Sequence, residues 1–276
     1  MDRSRLTITL KQDLLDKVDS IIDGVKIRNR SHAIEYLLSQ SLGPQVKQAV
    51  ILAGGQGVKM RPLTYELPKP LVPVKGKPVI DYNLELLKRN GIEDVILAIG
   101  HLGDKIRDQV GSGQRYGLRA NYSHEDHPLG SGGALRQSLS LVDSYPLLVM
   151  NGDVLADLNL KDLINFHQER DYLVTMVLTV AADTAGFGKA KVRGDRVVEF
   201  VKKDQSEDYN LVNAGIYLVN QGFSGWLPEQ TPSDLEDVFI KLAQEGLLAG
   251  YIFEGDWFEI STPKNYEKAI KNWQAR

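Results

Sequence analysis

The sequence predicts an α/β fold: a mostly parallel sheet covered by helices on both faces, preceded by a small separate module. Three observations carry this. From residue 48 onward, short apolar runs alternate with helical patterns, as parallel strands joined by crossover helices do. Two glycine-rich loops each follow such a run, where α/β sheets place their ligands, beyond the carboxyl ends of strands. Residues 1–44 hold one alternating strand and two short amphipathic helices, too little to close a core alone.

In the first module, Arg5-Leu6-Thr7-Ile8-Thr9-Leu10 alternates strictly, with Leu6, Ile8 and Leu10 on one face and Arg5, Thr7 and Thr9 on the other. A helical stripe of Leu14, Leu15, Val18, Ile21 and Ile22 follows and stops at Gly24. Ser31 stands as the N-cap of a second helix carrying Ile34, Leu37, Leu38 and Leu42, ended by Gly43-Pro44. A lone strand leaves an unpaired edge, which two copies remove by pairing strands antiparallel and interlocking their helices. On these residues the segment resembles the ribbon-helix-helix family of DNA-binding proteins. The resemblance implies a homodimer through residues 1–44, compatible with a higher oligomer, whose ribbon lies in the major groove of operator DNA. Arg5, Thr7 and Thr9 would then face base edges. Arg30 and Ser31, at the start of the second helix, would hold a phosphate. Residues 1–44 carry seven Lys/Arg against six Asp/Glu, net +1, so charge lends DNA binding little support and dimerisation alone stays open. The linker Gln45-Val46-Lys47 is short.

The second module, residues 48–276, opens on a buried strand, Ala49 to Ala53, that breaks into Gly54, Gly55 and Gly57. Lys59 follows, then Pro68-Lys69-Pro70-Leu71. Glycines without Cβ let successive N–H groups face one anion, and Lys59 and Lys69 supply the charge a triphosphate requires. The spacing is neither that of a P-loop nor that of a dinucleotide fingerprint. A glycine-rich turn with surface lysines is the other reading of this segment alone. Val79 to Asn90 reads as a helix ended by Gly91, Asp94 to Ile99 as a strand, Asp104 to Val110 as a helix and Leu118 to Ser123 as a strand. His124, Glu125 and His127 precede the second glycine loop, Pro128 to Leu135, which opens a helix; no His-x-x-x-His spacing marks a metal site. Leu147 to Met150 is a buried strand ending in Asn151-Gly152-Asp153, a lone carboxylate at a strand end. The tail helix runs from Lys264 to Trp273 after Pro263.

These motifs resemble those of the sugar nucleotidyltransferases. Leu52 to Gly57, Pro62 to Thr64 and Pro68 to Leu71 match the family's opening motif, with Val58-Lys59-Met60 where Thr-Arg-Leu is usual. Pro128 to Gly133, Asn151-Gly152-Asp153 and Asn213 to Tyr217 match later segments. The resemblance implies a Rossmann-like sheet on which a sugar 1-phosphate attacks the α-phosphorus of a nucleoside triphosphate. It implies that Leu52, Ala53, Gly54, Gly55, Gly57, Lys59, Glu125, Pro128, Gly132 and Gly133 hold the nucleotide. Gly152, Lys203 and Asn213 would hold the sugar phosphate, and Lys59, Lys69, Asp153 and Lys203 would serve catalysis. Mg²⁺ would sit on Asp153 and Glu259, the latter in place of the family's aspartate. Lys202 replaces the carboxylate that reads sugar hydroxyls, and Lys59 keeps the charge of an arginine without its two-pronged grip. The Pro-Leu-Gly-Ser-Gly-Gly loop is most similar to the branch that uses GTP with mannose- or heptose-type phosphates. A regulator that only senses such a ligand remains the alternative to an enzyme.

Composition adds exclusions. A formal net charge of −3 gives no global basic field, and the absence of cysteine excludes disulfides and zinc–thiolate sites. No apolar run approaches the ~20 residues of a membrane span, and no signal peptide is visible, so the sequence predicts a cytoplasmic protein with no membrane partner.

Overall fold

The computed structural model describes residues 7–25, 27–42, 46–181, 183–202, 209–230 and 232–274, and the side chains of 39–42 are outside that description. Arg5 and Lys203 lie outside the described residues, as does the Gly43-Pro44 stop. The chain divides into two compact units, Met1–Gln45 and Val46–Arg276.

In the first unit, α1 (Gln12–Ser20) and α2 (Arg30–Leu42) are joined by a turn held by Asp23, whose carboxylate accepts from the N–H groups of Val25 and Ile27, both at 2.8 Å. Val18 and Ala33 are buried, while Ile8, Leu14, Leu37 and Leu38 stay exposed. Residues 7–10, expected as a strand, belong to no assigned strand. A ladder needs a second strand, and among the described residues none pairs with this segment. The expected cap is also corrected. Asn29, not Ser31, accepts from the His32 N–H at 2.9 Å, and the helix begins at Arg30. The Arg30 guanidinium is gripped by both carboxylate oxygens of Asp19 at 2.7 and 2.6 Å, tying the two helices together.

The second unit runs, in chain order, β1 (Gln48–Leu52), α3 (Leu63–Glu66), a small hairpin of β2 (Pro73–Val74) and β3 (Lys77–Pro78), α4 (Val79–Arg89), β4 (Asp94–Ile99) and α5 (Gly103–Val110). It continues through β5 (Arg119–His124), α6 (Gly130–Ser138), β6 (Leu147–Asn151), β7 (Val154–Ala156), α7 (Leu160–Gln168) and β8 (Val174–Val180). The remainder is β9 (Lys189–Arg193), β10 (Arg196–Val201), β11 (Leu211–Val219), α8 (Leu235–Glu245), β12 (Leu248–Ile252), β13 (Trp257–Glu259) and α9 (Pro263–Asn272).

One sheet takes the order β5-β4-β1-β6-β11-β8-β12-β10-β9. Its first four strands are parallel, but β11 runs antiparallel between β6 and β8, and β10 is antiparallel to both neighbours. Seven of the nine strands thus point the same way, as a mostly parallel sheet requires, and β10 and β11 run against them. Strand direction left no mark because β11 is buried on both faces and reads as one apolar run in either direction. Along each central strand the buried residues alternate between two cores. Ala49 and Ile51 of β1, Val95 and Leu97 of β4 and Leu148 and Met150 of β6 join one core with Leu84 and Leu87 of α4 and Ile106 of α5. Val50, Ile96 and Val149 join the opposite core with Leu135 of α6 and Phe239 and Leu242 of α8. A third cluster packs Met60, Val72 and Val79 against Ile260, Ala269 and Trp273, bracing the opening loop with the C-terminal helix. Pro263 is the first residue of α9, with Thr262 as its cap.

The cap assignment is testable. Asn29→Ala should cost α2 about 1 kcal/mol, whereas Ser31→Ala should cost a few tenths. Hydrogen exchange of the α2 amides in the full chain separates the two, and an equal effect would contradict the assignment.

Candidate active site

Two cavities lie at the carboxyl ends of β1 and β6, where the sheet register puts Leu52 beside Asn151. The first, about 380 Å³, is walled by Leu52 to Gln56, Glu125, Pro128 and the start of α6; we call it the glycine-side cavity. The second, about 320 Å³, is walled by Gly57 to Lys59, Phe187, Asn213 to Gly215, Tyr217 and Trp257; we call it the aromatic-side cavity. Lys69, Ser131, Asn151, Asp234 and Glu259 line both, so the cavities meet along these residues.

The opening loop is fixed by its glycines. Gly57 has φ 64°, and the Thr64 hydroxyl donates to its carbonyl at 2.7 Å; a Cβ there would stand 2.7 Å from the Thr64 methyl. This turn sets Lys59 on an exposed 3₁₀ turn at the mouth of the aromatic-side cavity. Gly54 faces the Glu125 carboxylate, and a Cβ on it would collide with that group. Glu125 is held in turn by the Leu129 N–H at 3.0 Å. Burial pushes its carboxyl above the usual range, against the opposing pull of that N–H and of His124 and His127.

At the junction, the Lys69 ammonium donates to Asp153. Burial alone would depress the lysine, but the charge and hydrogen bond of Asp153, with the charge of Glu259, outweigh it and hold the ammonium protonated above its ordinary range. Asp153 sits in the turn from β6 to β7, and β13 pairs with β7 so that Glu259 stands opposite Val154. The Ile260 N–H closes this corner on the Asp153 carbonyl at 2.8 Å. Glu259 accepts from the Ser261 hydroxyl at 3.0 Å, a bond that a glycine at 261 could not make. Two hard carboxylates set by one short ladder, with a cation already drawn onto one of them, fit Mg²⁺, which is bound by one or two carboxylates plus phosphate oxygens and water. Among the described residues no third acidic or imidazole group joins them.

The expected residues fall into three sets. Leu52, Ala53, Gly54, Gly55, Glu125, Pro128 and Asp153 line the glycine-side cavity, Gly57, Lys59 and Asn213 the aromatic-side cavity, and Lys69 and Glu259 both. Gly132, Gly133 and Gly152 line neither. Gly132 and Gly133 give their N–H groups to the Ser233 carbonyl at 2.8 and 3.4 Å, and a Cβ on Gly132 would press on Ser233. Gly152 gives its N–H to the Leu52 carbonyl at 2.8 Å. Gly132 and Gly152 leave room for close backbone packing beside the site, while Gly130, Ser131 and Ala134 form the wall itself. Sequence reasoning did not flag Asn151, Asp234, Glu236 or Phe187. Asp234 to Glu236 read as an ordinary acidic helix start, and nothing local announces that this start closes a cavity built from the other end of the sheet.

Gly54→Ala should displace Glu125 and weaken a nucleoside triphosphate probe about tenfold or more, while Gly225→Ala, outside both cavities and with nothing within 4 Å of its Cβ, should bind normally. Equilibrium titration of both variants checks this; equal affinity would remove Glu125 from the wall.

Comparison with known proteins shows the family. The nucleotidyl transferase family model matches residues 48–276. The chain is 34% identical over 224 residues to the zebrafish (Danio rerio) mannose-1-phosphate guanylyltransferase catalytic subunit beta, covering 79% of this chain and 62% of that protein. It is 32% identical over 222 residues to the mannose-1-phosphate guanylyltransferase of Mycobacterium tuberculosis, with 79% and 62% covered. The chain thus spans about three-fifths of the length of these relatives. HddC from Yersinia pseudotuberculosis, solved in complex with GMP-PN, superposes with a TM-score of 0.69 at 24% identity, covering 82% of this chain and 99% of that one, and shares the fold. The chain belongs to the nucleotidyl transferase family.

Proposed function

We propose that residues 48–276 transfer a guanylyl group from GTP to a mannose- or heptose-type sugar 1-phosphate, releasing pyrophosphate, in the cytoplasm. The observation that carries this reading is the meeting of two cavities at Lys69 and Glu259 beside Asp153, one walled by glycine loops and one by amide and aromatic groups. Such a junction suits two phosphorylated ligands whose reacting groups must touch. GTP and a mannose-type acceptor rest on the guanylyltransferase relatives.

The chemistry is a direct displacement. A phosphate oxygen of the sugar 1-phosphate bonds to the α-phosphorus while the bond to the β-phosphate oxygen breaks, and pyrophosphate leaves with its electron pair. No protein atom is covalently modified, so catalysis is positioning and charge neutralisation. The Gly54 to Gly57 backbone and Lys59 hold the triphosphate, and Lys69 keeps one positive charge at the junction. Lys203 and Asn213 hold the sugar phosphate. Mg²⁺ bound by Asp153 and Glu259 would supply the Lewis-acid charge at the α-phosphate. The Ser261 hydroxyl fixes the longer Glu259 side chain, and this supports a retuned rather than a worn site.

Residues 1–44 act in this reading as a homodimerising, operator-binding ribbon-helix-helix head. The exposed Leu14, Leu37 and Leu38 supply the apolar face that a second copy would cover. Arg30 reaches a DNA phosphate only by leaving Asp19.

The transferase reading is tested by pyrophosphate release over a matrix of four nucleoside triphosphates and hexose or heptose 1-phosphates. Asp153→Asn should stay folded and lose several kcal/mol of transition-state stabilisation. Near-normal turnover of the folded variant would remove the metal assignment. For the head, light scattering should show a dimer that Leu37→Glu disrupts, and a selection from random duplex at low salt should yield a preferred site that Arg5→Ala loses. A monomeric wild type would end the dimer reading, and an empty selection the DNA reading.

A further inference from the structure

Helix α8 places two adjacent carboxylates in different surroundings. Asp237 pairs with the Lys202 ammonium at 2.6 Å, and neither residue lines a cavity. Glu236, one position earlier, lines the aromatic-side cavity and not the junction. Its Oε1 lies so close to Gly188 that a Cβ there would stand 2.8 Å away, so the glycine leaves room for the carboxylate. Asn213 and Tyr217 are its cavity neighbours, and the Glu236 charge is felt at the buried Tyr217 hydroxyl.

The other polar groups of that wall are largely committed. The Trp257 indole N–H donates to the Ala214 carbonyl at 3.0 Å. The Asn213 amide accepts from the Gly215 N–H at 2.9 Å and donates to the Tyr217 hydroxyl at 2.8 Å. A carboxylate offers about four acceptor sites, so one partner within the protein does not exhaust it. It suits neutral O–H donors, which it binds with a charge-assisted bond, and it repels phosphate. Lys69, at the junction, has the opposite preference. In the transferase reading the phosphate faces the junction, where Lys69 and the Mg²⁺ that Asp153 and Glu259 would hold offset the carboxylates, and this leaves the ligand's hydroxyls to face α8.

We propose that Glu236 is a specificity-determining residue that accepts hydrogen bonds from ring hydroxyls of the sugar 1-phosphate, a role that rests on the transferase reading given above. The competing account is that Glu236 only complements the α8 N-terminus, where first-turn acids are favourable. The experiment is calorimetric titration of the preferred sugar 1-phosphate and its single-deoxy analogues into wild type and Glu236→Gln, with melting temperatures recorded. The variant should bind the parent sugar 1-phosphate about tenfold or more weakly. It should match wild type for the one deoxy analogue that lacks the hydroxyl read by Glu236, with GTP affinity unmoved. Equal affinity of the two proteins across the panel overturns the proposal, as does an equal loss for every analogue. A wild type that binds no sugar 1-phosphate overturns this proposal and the transferase reading together. A wild type that transfers, beside a variant with unaltered sugar affinity, overturns the role of Glu236 alone.

Discussion

The contact between Lys69 and Asp153 is the point from which the rest of the site is set out. It joins the Pro-Lys-Pro turn after the opening loop to the turn after β6, and it lies on the wall that both cavities share. A buried ammonium is costly unless a carboxylate holds it, and a buried carboxylate is costly unless a cation meets it. Each therefore fixes the other, and Glu259, brought alongside by the β7–β13 ladder, adds a second negative charge. The result is one positive charge held beside two negative ones where the two cavities meet.

The two cavities are also coupled by backbone. The Ser233 carbonyl receives the Gly132 and Gly133 N–H groups, the Ser233 N–H donates to Leu129 at 2.9 Å, and the Ser131 hydroxyl accepts from the Leu235 N–H at 2.9 Å. The glycine loop at the start of α6 is thereby strapped to the start of α8, which carries Glu236. Gly130, with φ 73°, can occupy its place only because no Cβ meets the Ser233 carbonyl.

Much of this was legible in the sequence, for reasons that differ by residue. β4 was read at its observed bounds because the five-residue apolar run Val95 to Ile99, between a helix stop and a turn, has few alternatives. The opening glycines and Asp153 could be read because loop chemistry is local: φ > 0, close approach and a strand-end charge each restrict residue type. The reversal of β11 was not legible, since a strand buried on both faces carries no directional pattern. The packing of Gly132 on Ser233 was not legible, because a glycine that clears space for a ligand looks the same in sequence as one that clears space for Ser233. Glu236 could not be placed from sequence because its cavity neighbours, Gly188, Asn213 and Tyr217, come together only when β9 and β11 meet.

The central claim is that one phosphoryl displacement occurs at the Lys69–Asp153 junction without a covalent enzyme intermediate. The most direct measurement is the stereochemical course at the α-phosphorus, followed with a single diastereomer of GTP carrying sulfur at that phosphorus and an accepted sugar 1-phosphate. A single in-line displacement predicts inversion of configuration in the sugar nucleotide. Retention would require two successive displacements through a protein nucleophile and would contradict the account.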